Sequence, residues 1–196
     1  MKVLKFGGTS VGSVESIRHI QQIISQQTDD CIVVVSALGG ITDQLLKAAH
    51  LALEAGEEYM EIYQAIRCRH MDMVNTLITN PTTRQMLCLE LESILDELRS
   101  ILFGVHLVKD LSDKTEAAIV SYGERMSSRI VTAALSGAVR KNSLHFIRTE
   151  HKQGQVLLNT ELTEQLIHHA FSPMPHLSVV PGFISRDSQT DEITNL

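Results

Sequence analysis

The sequence has no tryptophan, and aromatic residues fill only 4% of its 196 positions. Little is therefore available for the stacking platforms of single-stranded nucleic-acid binders. A basic excess is missing too: 17 Lys+Arg against 23 Asp+Glu give a formal net charge of −6. That balance argues against nucleic acid or an anionic membrane as a general partner. No apolar run approaches the roughly 18 residues of a membrane span, and Met1 to Gly8 lacks the apolar stretch of a signal peptide. Three cysteines, Cys31, Cys68 and Cys88, are an odd number at no metal-like spacing. They are expected as buried, reduced thiols of a cytoplasmic protein. The nine histidines include the pair His168-His169, but adjacent helical residues point in different directions. Without an H-E-x-x-H arrangement, no metal site is expected. A G-x-S-x-G elbow, a Walker A loop and a G-x-G-x-x-G fingerprint are all absent.

What is present is an alternation of strands and helices. Lys2 to Phe6 predicts a strand stopped by Gly7-Gly8-Thr9-Ser10. A helix follows from Val14 to about Gln27, with Ile17, Ile20, Ile23 and Ile24 near a 3.6 period and Ser13 as its N-cap. Cys31-Ile32-Val33-Val34-Val35 is a continuous β-branched run, the pattern of a parallel strand buried on both faces. Strand, helix and strand in this order form a βαβ unit with a right-handed crossover. Beyond Ser36-Ala37-Leu38-Gly39-Gly40 comes a helix with Leu45, Leu46, Ala49 and Leu53 as its stripe and Gly56 just past its end. From Glu57 to about Phe103 the pattern is helical, broken at Asn80-Pro81, which predicts an antiparallel helical hairpin inserted into an α/β frame. Glu90, Glu92, Asp96 and Glu97 read as its solvated face. Asp113 to about Ala138 is helical with Gly123 inside it. Leu144 to Ile147 is a short strand candidate, Thr160 a cap for a helix to about Phe171, and Leu177 to Val180 another buried strand. Ser185 to Thr194 suggests a turn or hairpin. No internal repeat, low-complexity tract or linker interrupts this order. The fold class is α/β, with a mostly parallel sheet.

Three segments could carry chemistry. Gly7-Gly8-Thr9-Ser10 lies between a strand and a helix, where ligands of open parallel sheets bind. Glycines admit a phosphate close to the backbone, and the helix N-terminus favours negative charge. Lys5, an unusual residue in an apolar strand, supplies a cation there. A tight turn that needs glycine accounts for the same spacing equally well. Ser36 to Thr42 repeats the construction, with two hydroxyls around Gly39-Gly40 that could hold a carboxylate. The simpler alternative is that Thr42 only caps its helix. In Tyr122-Gly123-Glu124-Arg125-Met126-Ser127, a glycine within a helix costs about 1 kcal/mol relative to alanine. Close packing or a nearby ligand would account for it. Glu124 could pair with an ammonium group, or be a plain exposed glutamate.

Together these segments resemble the aspartokinase family. Lys5-Phe6-Gly7-Gly8-Thr9-Ser10-Val11 is similar to its N-terminal signature, and Val35 to Asp43 to its second segment. Tyr122 to Ser127 resembles its Gly-Glu-x-x-Ser helix, and Pro181-Gly182-Phe183-Ile184 a fourth segment. The helical insertion of about 57–103 is similar to that of the long forms, including the kinase half of bifunctional aspartokinase–homoserine dehydrogenases. The resemblance implies an amino-acid-kinase (carbamate-kinase-like) fold, a three-layer α/β/α sandwich. It implies transfer of the ATP γ-phosphoryl, with Mg²⁺, to the side-chain carboxylate of L-aspartate, giving 4-phosphoaspartate for lysine, threonine and methionine synthesis. By motif, Lys5 would be catalytic, neutralising charge on the moving phosphoryl, and the backbone of Gly7, Gly8, Thr9 and Ser10 would hold phosphate oxygens. Ser36 and Thr42 would bind aspartate, Glu124 would take its ammonium group, and Phe183 would close the pocket. A homo-oligomer is the expected assembly.

Two other readings rank lower. Acetylglutamate and glutamate kinases share the fold, but they do not combine the Lys-Phe-Gly-Gly-Thr-Ser run with the Gly-Glu-x-x-Ser helix. A non-catalytic binding or assembly module would keep the fold without turnover. In the family, a segment like Ile193-Thr194-Asn195-Leu196 leads into a Gly-Arg-Gly-Gly-Ser-Asp loop, whose arginine binds the aspartate carboxylate and whose aspartate takes part in transfer. This sequence stops before that loop. The expectation is that residues 1–196 form the N-terminal, aspartate-binding part of the catalytic domain, with little or no kinase activity of their own. The nucleotide-binding half and any regulatory or dehydrogenase domains are then absent.

Overall fold

The computed structural model of the chain describes residues 1–152 and 154–196. Its first sheet is built from β1 (Lys2–Phe6), β2 (Cys31–Val35), β6 (Leu177–Pro181) and β3 (Val139–Arg140), in that spatial order and all parallel. Register runs from Lys2 opposite Cys31 to Phe6 opposite Val35, and from Cys31 opposite Leu177 to Val35 opposite Pro181. One face therefore carries Cys31, Val33, Val35, Leu177 and Val179 together. These pack into the core with Ile17 of α1 (Val14–Ser25), Leu45 of α2 (Ile41–Ala52) and Ile119 and Met126 of α5 (Asp113–Ala134). The other face carries Val3, Lys5, Ile32 and Val34, and it is more open: Ile32 and Val34 are only partly buried and Val3 is exposed. The expected two-sided burial of β2 thus holds for one face, and Lys5 is accommodated because it stands on the open one.

The predicted insertion is two helices, α3 (Glu58–Leu77) and α4 (Pro81–Val108), so it extends beyond Phe103. Asn80 caps α4 by accepting the Thr83 amide at 3.0 Å, with Pro81 at the first helical position. The arms are antiparallel: Arg67 pairs with Glu92 midway along them, and the Tyr59 and His106 rings meet at 5.1 Å farther from the turn. Glu90, Glu92 and Glu97 do lie on a partly exposed face, and each pairs with an arginine there.

A second, mixed sheet has the order β5-β4-β7-β8, from β4 (Arg148–Lys152), β5 (Gln155–Leu158), β7 (Ile184–Asp187) and β8 (Ile193–Asn195). The antiparallel β7–β8 pair is the hairpin expected between Ser185 and Thr194. Its turn is held by Asp187, whose Oδ1 accepts the amides of Gln189 and Thr190 at 2.8 Å each.

Several expectations are corrected. Leu144 to Ile147 is not a strand, because Asn142 accepts the Leu144 amide and winds Ser143–His145 into a 3₁₀ turn. The cap of α6 (Thr160–Ala170) is Asn159, not Thr160, its side chain accepting the Leu162 amide at 3.1 Å. Helix α5 ends at Ala134 rather than about Ala138, where Gln21 donates to the Ala134 carbonyl at 2.6 Å. Gly56 stands beyond the end of α2, whose C-cap is Leu53. Only Cys31 is a buried thiol; Cys68 is exposed and Cys88 intermediate, since both lie on outer faces of the inserted helices. No helix among the described residues is long and apolar enough to cross a membrane.

Candidate active site

Parallel register brings the carboxyl ends of β1, β2 and β6 to one level, with Phe6, Val35 and Pro181 side by side. The segments leaving them are laced together: the Ser36 amide donates to Phe6 O at 3.2 Å and the Gly182 amide to Val35 O at 2.8 Å. A pocket of about 400 Å³ opens there, and Lys5, Gly8, Ser36, Thr42, Glu124 and Phe183 all line it. Sequence positions from 5 to 183 thus converge on one cavity. Gly7, Thr9 and Ser10 are not in its lining; Thr9 and Ser10 face a separate groove with Glu15 and His19. The Ser10 amide already donates within the loop, to Gly7 O at 2.9 Å. Its availability to a phosphate would need that bond to open.

The two glycine loops fit against each other. A Cβ built on Gly8 would stand 3.3 Å from the Gly39 Cα, and one on Gly39 would stand 3.1 Å from Gly8 O. Backbone approach therefore explains both glycines. Gly40 is the N-cap of α2 at φ +79, a left-handed conformation that favours glycine, and it makes no side-chain cap. Thr42 consequently sits inside the first turn rather than at the cap, with its side chain on the pocket.

Glu124 is buried, at 2% exposure, and so is not the plain surface glutamate that its type suggests. Its Oε1 accepts the Ala37 amide at 3.0 Å, while Oε2 is buried with no hydrogen-bond partner among the described residues. Desolvation pushes its pKa up to about 7, against the opposing pull of the Ala37 amide. Gly123 lets α5 come this close, since a Cβ there would fall 2.6 Å from the Ala37 Cβ. One turn on, Ser127 Oγ donates to Ser36 O at 2.7 Å and ties the helix to the end of β2.

Phe183 borders the pocket at φ +64, a strained conformation for an aromatic residue, and is 41% exposed. It is held by the Leu196 amide, which donates to Phe183 O at 2.9 Å. Lys5 is exposed, and its ammonium has no ion pair or hydrogen bond among the described residues. Sequence reasoning missed Arg69. From α3 its Nη2 donates to Gly12 O at 3.3 Å, and its Nη1 stands over Gly40, 4.0 Å from where a Cβ would be. No local signal marks a contact 57 residues away in an inserted helix. Among the described residues no group of three or more His, Cys, Asp or Glu side chains could hold a metal ion. Glu124 is the one carboxylate side chain among the described residues lining the pocket, so a Mg²⁺ there would take most of its oxygens from phosphate and water.

An open parallel sheet with glycine loops, a free lysine and a desolvated carboxylate at its strand ends suits a small anionic substrate and a phosphate. The family model described as the amino acid kinase family matches residues 1–195, and the chain belongs to that family. Aspartokinase 1, chloroplastic, of Arabidopsis thaliana is 28% identical over 206 residues, covering 99% of this chain and 35% of that protein. The bifunctional aspartokinase/homoserine dehydrogenase of Buchnera aphidicola is 31% identical over 141 residues, covering 69% of this chain and 17% of that protein. The chain thus spans about a third or less of the curated relatives' length. Among solved structures, E. coli aspartokinase III in complex with aspartate and ADP superposes with a TM-score of 0.84 at 24% identity, over 99% of this chain and 43% of that one. The aspartate kinase of Clostridium acetobutylicum does so with a TM-score of 0.77. Both superpositions take in 99% of this chain, the inserted helices included, and less than half of the neighbour's own chain.

Proposed function

We propose that the chain is the aspartate-binding part of an aspartate kinase, which transfers the γ-phosphoryl of ATP to the side-chain carboxylate of L-aspartate and yields 4-phosphoaspartate. One observation carries this reading: Glu124 presents a buried carboxylate oxygen with no partner in a pocket that also holds a lysine and two hydroxyls. An unpaired buried anion is costly, and an ammonium group is the ligand that relieves it. The Ala37 amide fixes the other oxygen, so the carboxylate is oriented before a ligand arrives.

In this reading Ser36 and Thr42 hydrogen-bond the substrate's carboxylates, and Phe183 covers the pocket. Lys5, which lines the same pocket, offsets charge on the phosphoryl as it moves, the oxygen of the substrate carboxylate forming a bond to phosphorus as the bridging oxygen of ATP leaves. A carboxylate is already ionised near pH 7, so the nucleophile needs no general base. The work left to the protein is positioning and charge stabilisation. Gly7 and Gly8 keep the loop backbone open to phosphate oxygens; the Ser10 amide would contribute only once its bond to Gly7 O opens. Mg²⁺ would arrive with the nucleotide. Lys5 is the sole cationic side chain among the described residues lining the pocket, so aspartate with two carboxylates is expected to bind weakly and to be phosphorylated slowly or not at all by this chain.

The test is calorimetric titration with L-aspartate, set beside succinate, which lacks the ammonium group. Aspartate should bind more tightly than succinate, and Glu124→Ala should remove the difference. Unchanged aspartate binding in Glu124→Ala would overturn the assignment.

A further inference from the structure

Arg129 and Ala133 follow Glu124 along α5 by five and nine positions. At about 100° per residue they are turned roughly 140° and 180° away from it. On that side a groove of about 510 Å³ runs between α4, α5 and β3. Leu87 and Ala133 give it an apolar floor, the exposed Met86 lies at its edge, and Arg129 and Arg140 supply its positive charge. It shares no lining residue with the candidate active site.

The charges here are unequally matched. Arg129 Nε pairs with Glu90 at 2.5 Å, and Arg125 Nη2 with Glu97 at 2.7 Å. Arg140 is half-buried, yet it has no ion pair and no side-chain hydrogen bond among the described residues. Three guanidiniums against two carboxylates leave one positive charge over, and it resides on Arg140. Desolvation, then the like charges of Arg129 and Arg125, hold its pKa below the ordinary arginine value against the opposing pull of Glu90. Arginine nonetheless stays charged, and a planar fork without an acceptor is matched best by a carboxylate.

We propose that this groove is a second ligand site, which takes a small monocarboxylate with an aliphatic body. The carboxylate lies on the fork of Arg140, and the chain covers Leu87, Met86 and Ala133. A dianion fits less well. Glu90 also lines the groove and repels the second charge, and the apolar floor offers phosphate nothing. The inference goes beyond the proposed phosphoryl transfer and does not depend on it.

Titration of the chain with hexanoate, followed by calorimetry, tests this, with inorganic phosphate as the comparison. Saturable hexanoate binding in about the millimolar range is expected, with phosphate weaker. Arg140→Gln should weaken hexanoate about tenfold or more, and Arg140→Lys, which keeps the charge but not the fork, by less. Arg140→Gln breaks no internal bond, so its melting temperature without ligand should equal or exceed that of the wild type, which separates lost binding from lost folding. Glu124→Gln should leave hexanoate binding unchanged. Non-saturable binding, equal binding in Arg140→Gln, loss of binding in Glu124→Gln, or phosphate binding as tightly as hexanoate would each overturn the proposal.

Discussion

Gly8 and Gly39 stand backbone against backbone, so that a Cβ added to either would press on main-chain atoms of the other at 3.1 to 3.3 Å. Main chain yields less readily than a side-chain tip. Gly39→Ala should therefore push the two loops apart and cost about 1–3 kcal/mol of stability, the usual range for overpacking. Because the same loops line the pocket, aspartate binding should be lost in that variant. Urea unfolding and calorimetry measure the two effects. A stable Gly39→Ala protein with undiminished binding would show that the loops are free to separate.

A second contact of this kind joins α5 to the end of β2. Gly123→Ala removes the helix penalty of a glycine, worth about 1 kcal/mol, but places a methyl 2.6 Å from that of Ala37. The clash should win, giving net destabilisation of about 1–3 kcal/mol. Ala37→Gly in the same chain removes the obstructing methyl. A double-mutant cycle should then show favourable coupling between the two changes. Additive effects would mean that Gly123 is there for some reason other than this contact.

How much of this was legible beforehand depends on where the determining interaction lies. Lys2–Phe6 and Cys31–Val35 form strands over the expected residues: the second is a β-branched run that states its conformation locally, and the first is stopped by the glycine pair that follows it. Ser13 caps α1 as its position implies, accepting the Ser16 amide at 3.1 Å. By contrast Leu144 to Ile147 has the composition of a strand, and a single side-chain bond from Asn142 decides otherwise. The strand that does form, Arg148–Lys152, is polar and shows no alternation to find. At the site, the motifs named Lys5, Ser36, Thr42 and Glu124, and the fold brings them to one cavity. What the motifs could not tell is that Glu124 is buried, since its environment is set by Ala37, 87 residues away. Arg69 was invisible for the same reason: its contact with Gly12 exists only once the insertion has folded over the loops.

Burial of Glu124 makes ligand binding depend on pH. Its carboxyl holds a proton up to about pH 7 in the unliganded protein, whereas pairing with an ammonium group requires the ionised form. Below pH 7, aspartate binding should release close to one proton, and affinity should fall about tenfold per pH unit. Calorimetry in buffers of different ionisation enthalpy reads the proton count directly. Binding without proton release at pH 6 would mean that the ammonium group goes elsewhere.

The same carboxyl opposes a buried histidine in the stability of the fold. Glu124, raised to about 7 from 4.5, binds its proton more tightly in the folded state, so its contribution to stability falls as pH rises from about 4.5 to 7. His70 is fully buried in α3, with Nδ1 2.7 Å from Ile66 O and Nε2 without a partner among the described residues. Desolvation lowers its pKa from 6.5 to about 4, so the unfolded chain binds the extra proton and stability rises with pH between those values. Each effect is worth roughly 3 kcal/mol at its limit, and between about pH 4.5 and 6.5 they run in opposite directions. The wild type should therefore change little in stability across that window. Glu124→Gln should leave the histidine's effect alone, and its stability should climb with pH. His70→Leu, which also removes the unpartnered nitrogen, should instead lose stability as pH rises. Urea unfolding of the three proteins at half-unit intervals separates these slopes, and parallel curves for all three would show that neither group titrates differently in the folded chain.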